Sequence, residues 1–170
     1  MLKYFIPDVC YNNIYEIDLA EIKQAGICGL ICDIDNTLVP YAEPEPTGQV
    51  AEWIKSVRDA GISVSFVSNN GANRVDLFNR SMGLFAASAS GKPSRRQLRA
   101  AMIAMKTTSA DTAIVGDQIF TDIFAGKRLG LHCILVNPIE DKKTIFFLIK
   151  RLFEKPFIFI YNNRKKMRHK

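Results

Sequence analysis

Polar residues that could carry out chemistry occur in four short groups, each at a junction between two predicted elements. The groups are Asp33-Ile34-Asp35-Asn36-Thr37, Ser68-Asn69-Asn70-Gly71, Lys92-Pro93, and Gly116-Asp117-Gln118 with Asp122 following. Together they supply carboxylates, a hydroxyl, amides and an amine. Ligands of parallel sheets bind at the carboxyl ends of the strands, so we expect these groups to meet at one edge of the fold.

The chemistry that fits this set of side chains is phosphoryl transfer with Mg²⁺. Crowded carboxylates repel one another and attract a hard cation, which makes Asp33, Asp35 and Asp117 the candidate metal ligands. Mg²⁺ screens an attacking carboxylate from the phosphate, so an aspartate can form an aspartyl-phosphate. A second acid two residues away can protonate the leaving alkoxide and then activate water. The candidates for binding the phosphoryl oxygens are Ser68, Lys92 and Asn69.

The elements that must position these groups alternate between short β-branched runs and amphipathic stretches. The predicted strands are 27–33, 62–67, 84–87, 112–115 and 132–136. Asp18 with Glu21 resembles a capping box at the start of a helix, and Ser94 is a candidate cap for a later helix. The alternation predicts an α/β fold with a Rossmann-like parallel sheet covered by helices.

The four groups also stand in the order and spacing of the four motifs of the haloacid dehalogenase (HAD) superfamily of phosphatases. The chain resembles that superfamily over residues 27–136. A single motif of this kind is weak evidence, whereas four in order are strong evidence. The resemblance implies the following roles: Asp33 as nucleophile and metal ligand, Asp35 as general acid and base, Ser68 and Lys92 on the phosphate, Asp117 on the metal, and Thr37 and Asp122 behind them.

The wording of the first and last motifs is similar to one branch, the YqeG-type phosphatases, which resemble phosphatidylglycerophosphate phosphatases. This likeness implies removal of a phosphate from a phosphatidylglycerophosphate-like lipid. The second acid, Asp35, argues against dehalogenation, because the dehalogenases of the superfamily lack it.

The spacing of the motifs leaves no room for a cap domain. Each of the intervals 35–65 and 68–92 has space for one helix and one strand. Capless relatives have open sites that suit large substrates. A lipid headgroup, a phosphoprotein or a nucleic-acid end would each qualify.

Charge divides the chain into two unequal parts. The 170 residues carry a net charge of +6, but residues 142–170 hold ten basic residues and one acid, which leaves the remainder at −3. This argues against a uniformly basic nucleic-acid-binding domain and points to a local anionic contact near the C-terminus. We expect a phosphatase domain over residues 1–155 and a basic extension over residues 156–170.

The basic segment allows several interpretations. Ile145, Leu148, Ile149, Leu152 and Phe153 form a helical stripe, and the run 157–161 is a candidate edge strand. The stripe is typical of a helix packed on the sheet, with a solvated end after it. The same residues could instead attach the protein to anionic lipid, or their charges could contact RNA or the ribosome.

Four scattered cysteines and the lack of a long apolar run indicate a soluble protein of the cytoplasm, with peripheral contact to the inner face of the membrane as an extension of the lipid hypothesis. The alternatives to a lipid phosphatase are a soluble small-molecule phosphatase and a non-catalytic HAD-like protein that binds RNA. Intact motif acids make the last of these less favoured.

Overall fold

The computed structural model describes residues 2–140 and 145–168, and within the last helix it describes the side chains of residues 152–163. The strands are β1 Val9–Tyr11, β2 Gly29–Cys32, β3 Ser63–Val67, β4 Phe85–Ala87, β5 Thr112–Gly116 and β6 His132–Val136. The helices are α1 Leu19–Gln24, α2 Gly48–Asp59, α3 Ala72–Asn79, α4 Arg96–Met105, α5 Phe124–Leu129 and α6 Ile145–Arg168. A π-helical turn, Ile119–Ile123, precedes α5.

The six strands form one parallel sheet in the order β1-β6-β5-β2-β3-β4. Central strand β2 is buried throughout, as expected for a strand covered on both faces. Alternate residues face opposite helical layers: Leu30 packs with α2 and α3, and Ile31 packs with α4 and the turn before α5. The predicted α/β, Rossmann-like parallel sheet is confirmed.

Local signals explain where several helices begin and end. Asp18 accepts hydrogen bonds from the backbone N–H groups of Ala20 and Glu21 at the start of α1. Gly130 has φ of 78° after α5, a conformation that favours glycine. Ser94 makes only a long contact of 3.5 Å between its Oγ and the Arg96 nitrogen, so it is a weak cap for α4.

Strand β1 was not among the predicted strands. It comprises only three residues and pairs with β6 at the edge of the sheet, with Val9 opposite Ile134. Three residues carry too little alternation to distinguish a strand from a loop, and the pairing is created by the distant β6.

The expectation of an edge strand at 157–161 is wrong, because these residues lie within helix α6. The phenol of Tyr161 accepts a hydrogen bond of 3.1 Å from the Cys10 backbone nitrogen, and the Phe157 ring contacts Phe5 and Phe120. Contacts at a four-residue spacing thus override the strand preference of this aromatic and β-branched run. The proposed boundary at residue 155 falls inside the same helix.

The predicted apolar stripe is not packed on the body at the two members whose side chains the structure describes. Leu152 and Phe153 are exposed, whereas Glu154 and Tyr161 are buried against the body. The side chains of Ile145, Leu148 and Ile149 lie outside the described residues, as do those of Lys142, Lys143 and the basic run 164–170.

No cap domain covers the sheet edge within residues 33–92, all of which the structure describes. The first interval holds a loop and α2 before β3, and the second holds α3 and β4. The carboxyl ends of the central strands therefore open directly to the surface. Among residues 2–140 and 145–168, no helix is both long enough and apolar enough to cross a membrane.

Candidate active site

A cavity of about 250 Å³ opens at the carboxyl ends of β2, β3 and β5. Asp33 follows β2, Ser68 follows β3 and Asp117 follows β5. Strand β2 lies between β3 and β5, so the chain crosses from one side of it to the other at this edge, as at the ligand sites of open α/β sheets. The cavity lining comprises Asp33, Asp35, Tyr41, Ser68, Asn69, Asn70, Lys92, Gln118, Thr121 and Asp122.

Asp33 and Lys92 form a buried ion pair at the floor of the cavity. The Lys92 Nζ donates to the Asp33 Oδ1 at 2.6 Å and to the Val67 carbonyl at 2.7 Å. The other Asp33 oxygen accepts from the Thr37 hydroxyl at 3.2 Å. Burial raises the pKa of Asp33 to about 6, although Lys92 opposes this shift. Each oxygen of the predicted nucleophile is thus held by a donor.

Asp122 joins Asp33 and Asp117 in a buried group of carboxylates. One oxygen from each of the three lies within 4.8 Å of the others. Asp122 also forms an ion pair of 2.7 Å with Lys92 and accepts from the Gln118 backbone nitrogen at 3.2 Å. Burial alone would lower the pKa of Lys92, but Asp122 and Asp33 together raise it.

Two local features bring Asp122 into this group. The π-helical turn places its carboxylate back over the end of β5, and such turns are frequent at functional sites. Gly116 leaves the necessary space, because a Cβ there would overlap the Asp122 carboxylate. The sequence prediction placed Asp122 behind the ligands, whereas the structure puts it among the candidate ligands.

Asp35 lines the same cavity but has different partners from the three grouped carboxylates. Its Oδ1 accepts from the Arg74 Nε at 3.0 Å, and its Oδ2 accepts from the Asn70 amide at 3.2 Å and the Ser68 hydroxyl at 3.3 Å. The Arg74 Nη1 also donates to the Pro44 carbonyl at 2.6 Å. Asp35 is not among the three described acids whose oxygens lie within 4.8 Å of one another, so its role as a metal ligand stays a prediction.

Asn69 holds the loop that carries Lys92. Its Oδ1 accepts from the Ser90 hydroxyl and the Lys92 backbone nitrogen, both at 2.7 Å, and its amide donates to the Lys92 carbonyl at 3.2 Å. Both ends of this side chain are thus engaged by the protein. The predicted phosphate-binding residue acts here as a brace between β3 and the Lys92 loop.

Asn36 ties the first motif to the segment after β6. It has φ of 67°, a left-handed conformation that asparagine tolerates. Its side chain donates to the Glu140 carbonyl at 2.9 Å and accepts from the Glu140 backbone nitrogen at 2.8 Å. These bonds fix the loop between Asp33 and Thr37.

The buried charges of the site favour a divalent cation. When ionised, the three grouped aspartates carry three negative charges and Lys92 returns one positive charge, which leaves the cluster with two negative charges. Such an excess is costly in a buried setting. Oxygen ligands from Asp33, Asp117 and Asp122 are the donors that Mg²⁺ prefers.

Several residues that line or support the site carried no signal in the sequence. Arg74 and Tyr41 belong to no motif, and they reach the site through the packing of α3 and of the loop before α2. Burial and the surrounding aspartates raise the pKa of Tyr41 to about 12, so its phenol stays neutral. Buried Glu154 of α6 accepts from the Ile119 backbone nitrogen at 2.9 Å and supports the turn that carries Asp122. A lone acid within the basic segment gave no indication of this contact.

Comparison with known proteins agrees with the geometry. A HAD-hydrolase-like family model matches residues 89–138. The chain is 34% identical over 153 residues to the probable phosphatase YqeG of Bacillus subtilis, covering 90% of this chain and 89% of that protein. It is 26% identical over 162 residues to phosphatidylglycerophosphate phosphatase 1 of Arabidopsis thaliana, covering 88% of this chain but only 46% of that relative.

Solved structures share the fold at low sequence identity. NagD from Escherichia coli has a TM-score of 0.52 at 17% identity and is matched over 65% of this chain and 87% of its own. CbbY from Rhodobacter sphaeroides has a TM-score of 0.53 at 14% identity, over 71% of this chain and 90% of its own. The fold, the assembled motif residues and the extended match to YqeG lead to one assignment: this chain belongs to the HAD superfamily, as a phosphatase of the YqeG type.

Proposed function

We propose that this phosphatase is Mg²⁺-dependent, works through an aspartyl-phosphate on Asp33, and acts on a phosphatidylglycerophosphate-like lipid in the cytoplasm. The observation that carries the chemistry is the buried cluster of Asp33, Asp117 and Asp122 around Lys92, with its excess of two negative charges. This cluster has the ligands and the charge for one divalent cation.

In the first step, an Asp33 oxygen attacks phosphorus and the bond to the ester oxygen breaks. Lys92 and Thr37, which already contact Asp33, orient the carboxylate for the attack. Protonated Asp35 delivers its proton to the departing alkoxide, and Ser68 lies beside it at the cavity wall. The alcohol leaves and Asp33 retains the phosphoryl group.

In the second step, Asp35 takes a proton from water while the water oxygen attacks phosphorus. The bond to Asp33 breaks, inorganic phosphate leaves, and the Asp33 carboxylate and the Asp35 proton are both restored. Arg74 and Asn70 fix the direction of Asp35 during both transfers.

Asp33, Asp117 and Asp122 are the residues that would hold the metal, and a bound Mg²⁺ supplies charge screening between carboxylate and phosphate. Lys92 serves the same end with a fixed positive charge inside the site. Its contacts to Asp33 and Asp122 keep these two carboxylates together before the cation arrives.

Support for a lipid substrate comes from the open edge and from the name of the Arabidopsis relative. No described element covers the carboxyl ends of β2 and β5 within residues 33–92, so a headgroup can enter while its acyl chains stay outside. Support for the cytoplasm comes from the cysteine content, because four scattered cysteines in 170 residues are too few for a disulfide scaffold.

The decisive experiment measures phosphate release from phosphatidylglycerophosphate in mixed micelles, alongside soluble sugar and nucleotide phosphates, over a Mg²⁺ titration. We expect Mg²⁺-dependent turnover, fastest with the lipid, and a loss of about 10³-fold or more in Asp33→Asn. Asp59→Asn, which alters an exposed carboxylate on α2, is the matched control and should keep full activity.

Undiminished turnover in Asp33→Asn would disprove the covalent mechanism. Faster turnover of a soluble phosphate would keep the mechanism but replace the lipid with a small molecule. Full activity after chelation of divalent ions would remove the metal from the proposal.

A further inference from the structure

Helices α4, α5 and α6 cover one face of the sheet and carry basic and apolar residues that the proposed chemistry does not use. Four arginines line a groove of about 530 Å³ between α4 and α5: Arg95, Arg96, Arg99 and Arg128. Ile103 lies at the same groove with 77% of its surface exposed. The groove is thus cationic with an exposed aliphatic residue at its side.

The charge of this groove is not neutralised by neighbouring acids. Residues 77–110 contain no Asp or Glu. Within the part of the chain that the structure describes, none of the four arginines forms an ion pair. Arg95 and Arg128 instead donate to the backbone carbonyls of Arg128 and Pro93, at 3.4 and 3.3 Å. The surface therefore favours an anionic partner.

Helix α6 adds an apolar surface. Leu152, Phe153 and Phe159 are exposed by 62%, 63% and 65%, whereas Glu154 and Tyr161 on the opposite side are buried. Lys155 is exposed among them. A helix with one side packed on its own domain and large apolar residues on the other has an unpartnered surface.

These two surfaces belong to the same side of the molecule. Leu98 and Met102 of α4 belong to the core cluster that includes the sheet residue Ile31, and Phe157 and Ile158 of α6 pack against the same cluster. The exposed residues lie on the other sides of these helices, so both sets face away from the same face of the sheet.

We propose that this side docks on an anionic lipid bilayer. The docking face comprises the four arginines of the groove, Ile103 and the three exposed apolar residues of α6. Basic residues near a membrane attract anionic headgroups, and apolar side chains between them enter the interfacial region. Ile103 and Leu152 favour lipid over nucleic acid, because exposed aliphatic side chains gain from the interfacial region and offer no ring for a base, whereas Phe153 and Phe159 suit either partner.

The docking face also borders the catalytic edge. Arg128 donates to the carbonyl of Pro93, and the preceding residue, Lys92, lies on the cavity floor. Docking thus brings the site to the headgroup layer, and this part of the inference rests on the proposed lipid substrate. The attachment itself needs none of the catalytic residues.

The test is co-sedimentation of the full chain with vesicles of phosphatidylcholine alone or of phosphatidylcholine with phosphatidylglycerol, at matched salt. We expect binding only to the anionic vesicles. The pair Arg96→Gln and Arg99→Gln should lower the partition coefficient about 25-fold, since each basic residue contributes a factor of about five. The pair Phe153→Ser and Phe159→Ser should lower it by about tenfold or more.

The matched control removes the same charge from the opposite side of the sheet through Arg58→Gln and Arg80→Gln, both exposed. It should retain most vesicle binding. If both arginine pairs reduced vesicle binding equally, binding would depend on net charge alone and the docking face would be wrong. Lack of wild-type binding to anionic vesicles would overturn it as well. The proposal would also be overturned if Arg96→Gln and Arg99→Gln reduced binding to RNA but left vesicle binding unchanged.

Two readouts separate this inference from the proposed function. The docking variants should hydrolyse soluble p-nitrophenyl phosphate at the wild-type rate, and a loss there would overturn a role limited to docking. Asp33→Asn should bind vesicles like the wild type while its turnover is lost. If Asp33→Asn bound vesicles and kept full turnover, the docking proposal would stand and only the catalytic proposal would be wrong.

Discussion

Asp33 and Asp35 stand two residues apart in the chain but lie in opposite electrostatic surroundings. Asp33 shares its side of the cavity with two other buried carboxylates and one lysine. Asp35 has Arg74 as its own counterion and two neutral donors around it. The first side keeps an excess of negative charge over its single lysine until a cation binds, whereas the second side is balanced by the protein itself.

This difference indicates a division of labour within one motif. A carboxylate crowded by others gains from a divalent ion, which fits a nucleophile that must approach a phosphate. A carboxylate held in one direction by arginine and amide groups fits a group that passes a proton between fixed positions. Neighbouring residues of one loop can thus be given separate roles by the elements that surround them.

The largest expected effect tests the proton-transfer side. Asp35→Asn should slow hydrolysis of an alkyl phosphate by about 10²- to 10⁴-fold, because its leaving group needs a proton. Hydrolysis of p-nitrophenyl phosphate, whose leaving group is a weak base, should slow less. Parallel kcat measurements with both substrates check this, with the exposed Asp76→Asn on α3 as control. Equal slowing of the two substrates would contradict proton donation by Asp35.

The next prediction removes the lysine from the cation-poor side. Lys92→Met should lower the free energy of unfolding by about 3–5 kcal/mol, because it leaves Asp33 and Asp122 buried without their partner. Mg²⁺ should restore part of this loss. Urea unfolding with and without Mg²⁺ measures both effects. Lys55→Met, which breaks an exposed pair with Asp59, should cost about 0.5 kcal/mol or less.

A loss of stability in Lys92→Met no greater than in Lys55→Met would show that the three carboxylates do not depend on the lysine. The contrast between the two sides of the cavity would then disappear.

Motif residues at strand ends were predictable because parallel strands bring their carboxyl ends to one edge. Asp33, Ser68 and Asp117 therefore meet as the alternating pattern indicates. The position of Asp122 was harder to predict, since it depends on a π-helical turn that shifts residues relative to an ordinary helix. The sequence shows the acid but not the turn.

Long-range contacts explain what sequence reasoning missed. Arg74 reaches Asp35 only because α3 packs beside the loop after β2. The helical structure of residues 157–161 was missed for the same reason. These residues have the composition of a strand, but contacts with Phe5, Phe120 and Cys10 hold them in helix α6. Local pattern cannot report such partners, which are 39 residues apart for Arg74 and Asp35 and 151 residues apart for Tyr161 and Cys10.

A smaller effect should follow from filling the space beneath Asp122. Gly116→Ala places a methyl group where the Asp122 carboxylate lies, so that side chain must move away from Asp33 and Asp117. We expect Mg²⁺ affinity, measured by activation of turnover, to fall about 10- to 100-fold.

Gly126→Ala is the matched control, because its methyl group would meet Ile114 and Cys133 rather than a site residue. It should lower stability without changing the Mg²⁺ dependence. If Gly116→Ala left the Mg²⁺ requirement unchanged, Asp122 would not be a metal ligand.

The smallest expected effect tests whether the balanced side depends on its arginine. Arg74→Gln should reduce kcat about tenfold with little change in KM, because Asp35 remains but is no longer directed by the Nε and Nη2 groups. Arg74→Lys should restore the charge but not the fork that reaches both Asp35 and Pro44. If Arg74 acts only by positioning Asp35, adding Arg74→Gln to Asp35→Asn should cause no further loss. A further tenfold loss in the double variant would assign Arg74 a contact with the substrate itself.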